Sequence, residues 1–472
     1  MPWAFAAVSL AGLAFVVNAF FPVRREPMAV PSFFAGWLTG ELPLHHIVWQ
    51  AAATGIFIAF GALASWPGYV GLALTVAGWS GLLVLAKSGR DSRHVIRAAL
   101  DSAGSPEDPA RVSPGHSPGD SLGVSPGHSH GEGSGGHGED AKRSEGGGTK
   151  PNGWSTMWRG ARLVHPVPIL VRAVEVTRHV DYAGTGLRAN TLDVYRRRDA
   201  PPTGGPVLLY LHGGAWVIGD KREQGLPMLH ELALRGFVCV SANYRLSPRA
   251  TWPDHIVDVK RAIAWVRSEI AAFGGDPGFL AISGGSAGGH LAALAALSAN
   301  DPLFQPGFEG TDTSVDACVP LYGVYDMTGG GDSTRYGKGL VSLLEHRVFK
   351  KRLAESAGEF RAASPVHRVH PGAPPFFVLH GSNDTLVPPS EARRFVGALR
   401  SAAESRVAFA ELPRTQHAFD ILASPRCANA VAGIANFLAE VHAQHVEQAT
   451  SRPPTQRVAS PPESPRSTGE DT

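Results

Sequence analysis

Two stretches of this chain are apolar and free of charge: residues 2–21 and residues 42–86 contain no Asp, Glu, Lys or Arg. About 20 such residues suffice to cross the hydrocarbon core of a bilayer as a helix. The first stretch therefore predicts one span. The second, 45 residues long and broken by Trp66-Pro67-Gly68, predicts two, at about 47–65 and 69–86, joined by a tight turn. Trp3, Trp49, Trp66 and Tyr69 fall near span ends, where interfacial aromatics belong, and Trp79 is expected to pack inside the bundle. Beyond residue 100 the pattern dissolves into Gly, Ser, Pro and His, and residues 101–153 read as a flexible linker that cannot repay its ordering entropy. Residues 154–445 are different. Short apolar runs at 174–180, 192–195, 207–211, 237–241, 279–283, 318–322, 376–379 and 407–412 read as strands. Between them, Ile256, Val259, Ile263, Val266 and Ile270 step by three and four along one helical face that Gly274 can stop. Such alternation predicts an α/β body, a mostly parallel sheet with helices on both faces. A polar tail is expected from about residue 446, which completes the division 1–100, 101–153, 154–445 and 446–472.

Charge orients the predicted spans. Arg24 and Arg25 follow the first span, Lys87, Arg90, Arg93 and Arg97 follow the third, and the turn between the second and third carries none. Positive loops stay inside. The expected topology is a multi-pass cell-membrane protein with its N-terminus outside and its α/β body in the cytoplasm. The competing reading of the first stretch is a cleaved signal peptide, but no basic residue precedes it and no small-residue cleavage site stands out. A net charge of +2 with 18% charged residues offers no argument for nucleic acid. Cys239, Cys318 and Cys427 are too few for a disulfide framework and are expected to be buried thiols. His116, His128, His130 and His137 in the linker suggest weak metal binding at most, and no metal or other cofactor is expected.

The chemistry concentrates at strand ends, where ligands bind in open α/β sheets. Gly284-Gly285-Ser286-Ala287-Gly288-Gly289 sits between an apolar run and the helix-like stretch 290–297. This is a nucleophile elbow, G-x-S-x-G, in a strand–turn–helix setting. A serine hydroxyl needs a general base and a group to orient that base. Asp384, at the end of 376–379 and 98 residues after Ser286, is the candidate orienting acid, with Asp326 in reserve. His417, 33 residues further on and just past the last strand, is the candidate base. The order Ser, Asp, His is that of an α/β-hydrolase. Upstream, His212-Gly213-Gly214-Ala215-Trp216 ends a strand, and the N–H groups of Gly213 and Gly214, with that of Ala287, are candidate oxyanion donors. His212 reads as a loop organiser.

Taken together, HGGAW, Asn243-Tyr244-Arg245-Leu246-Ser247-Pro248, GGSAGG and His380-Gly381-Ser382-Asn383-Asp384 followed by Leu386-Val387-Pro388 resemble the hormone-sensitive-lipase-like esterases of the α/β-hydrolase superfamily. The resemblance covers the α/β body alone. It implies hydrolysis of a carboxylic ester of short or medium acyl chain, a small-molecule or lipid ester, without a cofactor. Those enzymes carry HGGG and GDSAGG, so Ala215 and Gly285 are departures. An amide or peptide hydrolase of the same fold, and a non-catalytic membrane binding protein on a hydrolase scaffold, are the alternatives. The segment 340–352, apolar and then basic, reads either as a lipid-touching element or as a cap packed on its own domain, and Trp154, Trp158 and residues 167–171 as further cover.

Overall fold

The structure is a computed structural model that describes residues 1–25, 27–103, 171–201, 204–330 and 335–451. The predicted linker from residue 104 onward, with its four histidines, and Trp154 and Trp158 lie outside that set.

Four helices open the chain: α1 Pro2–Phe20, α2 Ala29–Glu41, α3 Pro43–Ala59 and α4 Trp66–Ser102. By length and composition α1 and α4 can each cross a membrane, and α2 with α3 forms a pair bent by 90°. α1 and α4 run side by side in the same direction. A side chain at Gly71 would meet Ala6, Thr75 Oγ1 donates to Ser9 Oγ at 2.9 Å, and Val16, Ala19, Leu82 and Leu85 form one buried cluster. Trp3 and Trp66 meet edge to face at the far end. Trp79 packs inward as expected, with Nε1 donating to Gln50 Oε1 at 3.1 Å.

Two expectations about this region need correction. The predicted second span at 47–65 is the shorter helix α3, and α2, which no pattern announced, precedes it. α2 contains Gly36, Gly40, Ser32, Thr39 and Glu41, so its mixed composition hides it from a search for uncharged runs. The third span does not end at 86: α4 continues as a helix into the body, where Ile96, Ala99 and Leu100 are buried with Phe377, Ala408 and Phe437.

The body is an eight-stranded sheet: β1 Val174–Asp181, β2 Thr191–Arg197, β3 Gly205–Leu211, β4 Val238–Ala242, β5 Gly275–Gly285, β6 Ala317–Leu321, β7 Phe376–Gly381 and β8 Val407–Leu412, in the order β1-β2-β4-β3-β5-β6-β7-β8. β2 runs antiparallel to β1 and β4, and every other pairing is parallel. Parallel strands need crossovers and burial on both faces, which is why the central strands read as unbroken apolar runs. The crossovers carry α5 Leu226–Leu234, α6 Asp254–Glu269, α7 Ala287–Ala296, α8 Arg335–Leu343, α9 Leu353–Ala362 and α10 Pro389–Ala402; α11 Pro425–Ser451 closes the chain. α11 runs six residues past the predicted start of the tail. This is the α/β-hydrolase fold expected from the sequence. α8 and the turn after it pack on their own domain: Leu340, Leu344, Val348 and Phe349 are core residues, and Phe349 stacks on Trp252 and Phe360. All three cysteines are buried and free.

Candidate active site

β5 delivers the chain to Ser286 in a backbone conformation of φ 56° and ψ −118°, from which α7 starts. A positive φ is costly for a residue with a side chain and persists only where the surroundings enforce it. Here they do. A Cβ on Gly284 would lie 2.6 Å from the Gly288 backbone and from Leu211 O, and one on Gly288 would collide with Leu211 O. The turn is as tight as it is because β3, β5 and α7 close on one point. The Ser286 N–H donates to Leu321 O at 2.9 Å, fastening the elbow to the end of β6.

The loop after β7 carries Asp384, and the loop after β8 carries His417. His417 Nδ1 donates to Asp384 Oδ2 at 2.6 Å, while the Leu386 and Val387 N–H groups donate to Asp384 Oδ1 at 2.9 and 2.8 Å. His380 Nε2 lies 3.4 Å from the same Oδ2. Burial alone would raise the Asp384 carboxyl, but the electrostatic pull of the His417 ring and the hydrogen bonds from His380 and His417 outweigh it, and the group is held well below the usual carboxylate range. The sequence-derived acid and base are thus in contact, and the reserve acid Asp326 is elsewhere, beside Thr328 and Arg394. Among the described residues no hydrogen bond joins Ser286 to His417; such contacts are often long until substrate binds.

Tyr322, the residue after β6, fills the space between these groups. Its ring centroid lies 4.4 Å from that of His417 and its hydroxyl donates to Asp420. Tyr210 donates to the other Asp420 oxygen at 3.3 Å. Burial pushes Asp420 up, against the opposing pull of these hydroxyls. The Gly285 departure now has a reason. A Cβ there would stand 2.5 Å from the Tyr322 hydroxyl, which is turned toward Asp420 instead. No local motif marks Tyr322 or Asp420, because β3, β6 and the β8 loop bring them together.

The HGGAW loop is braced from several sides. His212 stacks on Tyr244 with centroids 4.5 Å apart, and burial lowers its pKa, so it organises the loop as a neutral ring. Trp216 Nε1 donates to His290 Nδ1 at 3.2 Å, and His290 Nε2 donates to Ala363 O at 2.8 Å. Burial drops His290 to about 4, consistent with the neutral tautomer this pairing demands. The Gly213 N–H donates to Gln224 Oε1 at 2.8 Å. Those of Gly214 and Ala287 have no hydrogen-bond partner among the described residues. Gly214, at φ 120°, could not bear a side chain, which would run into Ile218 O. The described residues contain no cluster of side chains suited to a metal.

Comparison with known proteins identifies the family. The BD-FAE family, carboxylesterases of the α/β-hydrolase type, matches residues 192–399. The chain is 42% identical to the probable carboxylic ester hydrolase LipM of Mycobacterium tuberculosis over 437 residues, 92% of each chain. An overlap of that length takes in part of the N-terminal helical region. Esterases LipQ and LipC of the same organism are 49% and 48% identical over 282 and 255 residues, covering 60% and 54% of this chain and 66% and 63% of theirs. The chain belongs to this carboxylesterase family of α/β-hydrolases, and it is a carboxylic ester hydrolase.

Proposed function

We propose that the enzyme is a membrane-anchored serine esterase that works through an acyl-enzyme on Ser286. Ser286 Oγ attacks the ester carbonyl carbon as its proton passes to His417 Nε2, and Asp384 holds the imidazole in that tautomer and stabilises the imidazolium. His417 then returns the proton to the departing alkoxide. Water, deprotonated by the same histidine, releases the acid and restores the serine. The Gly214 and Ala287 N–H groups receive the oxyanion. The Gly213 N–H is already held by Gln224, so Gly213 serves by its size: a Cβ there would lie 2.7 Å from Gly285 O and 3.1 Å from Ser286 Cβ. The 2.6 Å contact of His417 with a buried, ionised Asp384, beside a strained serine, carries this reading.

Ser286→Ala is expected to cut hydrolysis of nitrophenyl esters by about 10⁵-fold or more and to abolish labelling by a fluorophosphonate. Labelling that survives the substitution, or faster turnover of aminoacyl anilides than of esters, would refute the reading.

The anchor is the set α1, α4 and the bent pair α2–α3. Their basic flanks, Arg24, Arg25, Lys87 and Arg90, all lie at the end that meets the catalytic body, which supports a cytoplasmic body and an N-terminus on the opposite side. A phosphatase fusion at the N-terminus active only outside the cell is the expected outcome.

A further inference from the structure

α2 touches the catalytic loops along its whole length. Ahead of it, Arg24 donates to Ser382 O at 2.8 Å, and Asn383 Nδ2 donates to Ala19 O at 2.8 Å. Thr385 Oγ1 donates to Ala29 O at 3.1 Å where the helix begins. In its middle, the Phe33 ring stands edge-on to the His417 ring at 6.3 Å, and Trp37 Nε1 donates to Ala418 O at 2.9 Å. Gly36 lets the helix approach Gln416 so closely that a Cβ would lie 3.3 Å from its amide nitrogen. At its end, Glu41 forms a buried ion pair with Arg426 of α11. The acid loop and the histidine loop are therefore both fastened to one short helix.

Among the described residues the opposite face of that helix is exposed. Val30, Phe34 and Leu38, spaced by four and so aligned on one stripe, are 51%, 52% and 41% exposed. Met28, Val23 and Phe21 extend the apolar surface to the end of α1, whose own outer residues Phe15 and Val17 are exposed in turn. Exposed apolar residues thus run from α2 back to α1, a helix long and apolar enough to span a membrane. α2 bends 90° from α3, the geometry of a helix lying across the direction of a span. It fits the interface, lying flat with one face in the acyl region and the other on the active site.

We propose that α2 is an interfacial helix that holds the Asp384–His417 loops against the bilayer, so that the substrates are long-chain acyl esters drawn from the membrane. An ester presented at the bilayer surface beside α2 would keep its acyl chain in the apolar phase while its carbonyl reached the site. The inference rests on the membrane anchoring and serine chemistry proposed above.

The full-length enzyme in phosphatidylcholine nanodiscs tests it. Two substrates are compared, dioleoylglycerol within the disc and nitrophenyl acetate in the water, for the wild type and for Val30→Ser/Phe34→Ser/Leu38→Ser. The triple variant is expected to lose about tenfold or more on dioleoylglycerol and to stay within about twofold on nitrophenyl acetate, since the altered face touches no catalytic group. A wild type active on nitrophenyl acetate alone, or an equal loss on both substrates, would overturn the inference and leave the ester hydrolase intact. A wild type inactive on both would refute the serine mechanism instead. In a second measurement Phe34→Cys carries an environment-sensitive fluorophore, the three native thiols being buried. Quenching by spin-labelled lipid supports the interfacial helix, and quenching only by an aqueous agent overturns it.

Discussion

Asp384, 33 residues before His417, and Asp420, three residues after it, are both buried, yet their environments drive them apart. Asp384 has an imidazole N–H and peptide N–H donors; Asp420 has two phenols. Because the folded Asp384 value is depressed, its contribution to stability is present above the ordinary 3.8 and is lost as pH falls below it. Asp384→Asn is therefore expected to be less stable than the wild type at neutral pH, with the gap closing on acidification from about pH 5 to about pH 2, as urea titrations at stepped pH would record. The Gly285–Tyr322 contact makes a second residue-scale prediction. Gly285→Ala should cost about 1–3 kcal/mol by overpacking, and appreciably less when Tyr322→Phe has removed the hydroxyl it strikes. Additive losses in that double-mutant cycle would show that the two positions do not meet.

At the scale of elements, the informative joints are those between the helical region and the body. Glu41 on α2 and Arg426 on α11 are both about 1% exposed, so neither charge has water to fall back on. Glu41→Gln is expected to destabilise the protein by about 3–5 kcal/mol, because it leaves a buried guanidinium uncompensated. Replacing both residues, Glu41→Leu with Arg426→Met, should recover most of that loss in thermal unfolding of the detergent-solubilised enzyme. α4 and α11 cross at Gly433, where a side chain would collide with Ile96. Near that crossing, Asn429 Nδ2 donates to Gly89 O and Arg90 O, each at 3.1 Å, and to Ser92 Oγ at 3.0 Å. α4 is thus apolar and long enough to cross a membrane at one end and a core helix of the hydrolase at the other.

For the whole molecule, these joints replace a tethered domain with a docked one. If docking rather than the chain connection holds the body at the membrane, then cutting the chain between Ser102 and Val174 should not release it. A protease site inserted there and cleaved in membranes is expected to leave the hydrolase in the pelleted fraction without detergent; its appearance in the supernatant would refute the docking. Arg406 Nη2, which donates to Leu100 O at 2.6 Å, and Ser88 Oγ, which donates to Pro413 O at 3.3 Å, are among the contacts that must hold.

Much of this enzyme was legible along the chain because its rules are local. Strand burial writes itself as apolar runs, a long apolar helix as an uncharged stretch, and a strained elbow as Gly around Ser286. The Ser, Asp, His order then follows strand ends, so Asp384 and His417 could be named and were found in contact. Other features had no local mark, since they arise where distant segments meet. Gln224 takes the Gly213 N–H, Tyr322 occupies the room left by Gly285, and Asp420 accepts its hydroxyl. α2 is the largest such case. Its residues are too mixed for a span and too short for a strong amphipathic signal, and its meaning lies in the two surfaces it separates, His417 on one side and an apolar exterior on the other. Periodicity along one segment can state which face is apolar, but only packing of the remote loops against α2 determines what the other face touches.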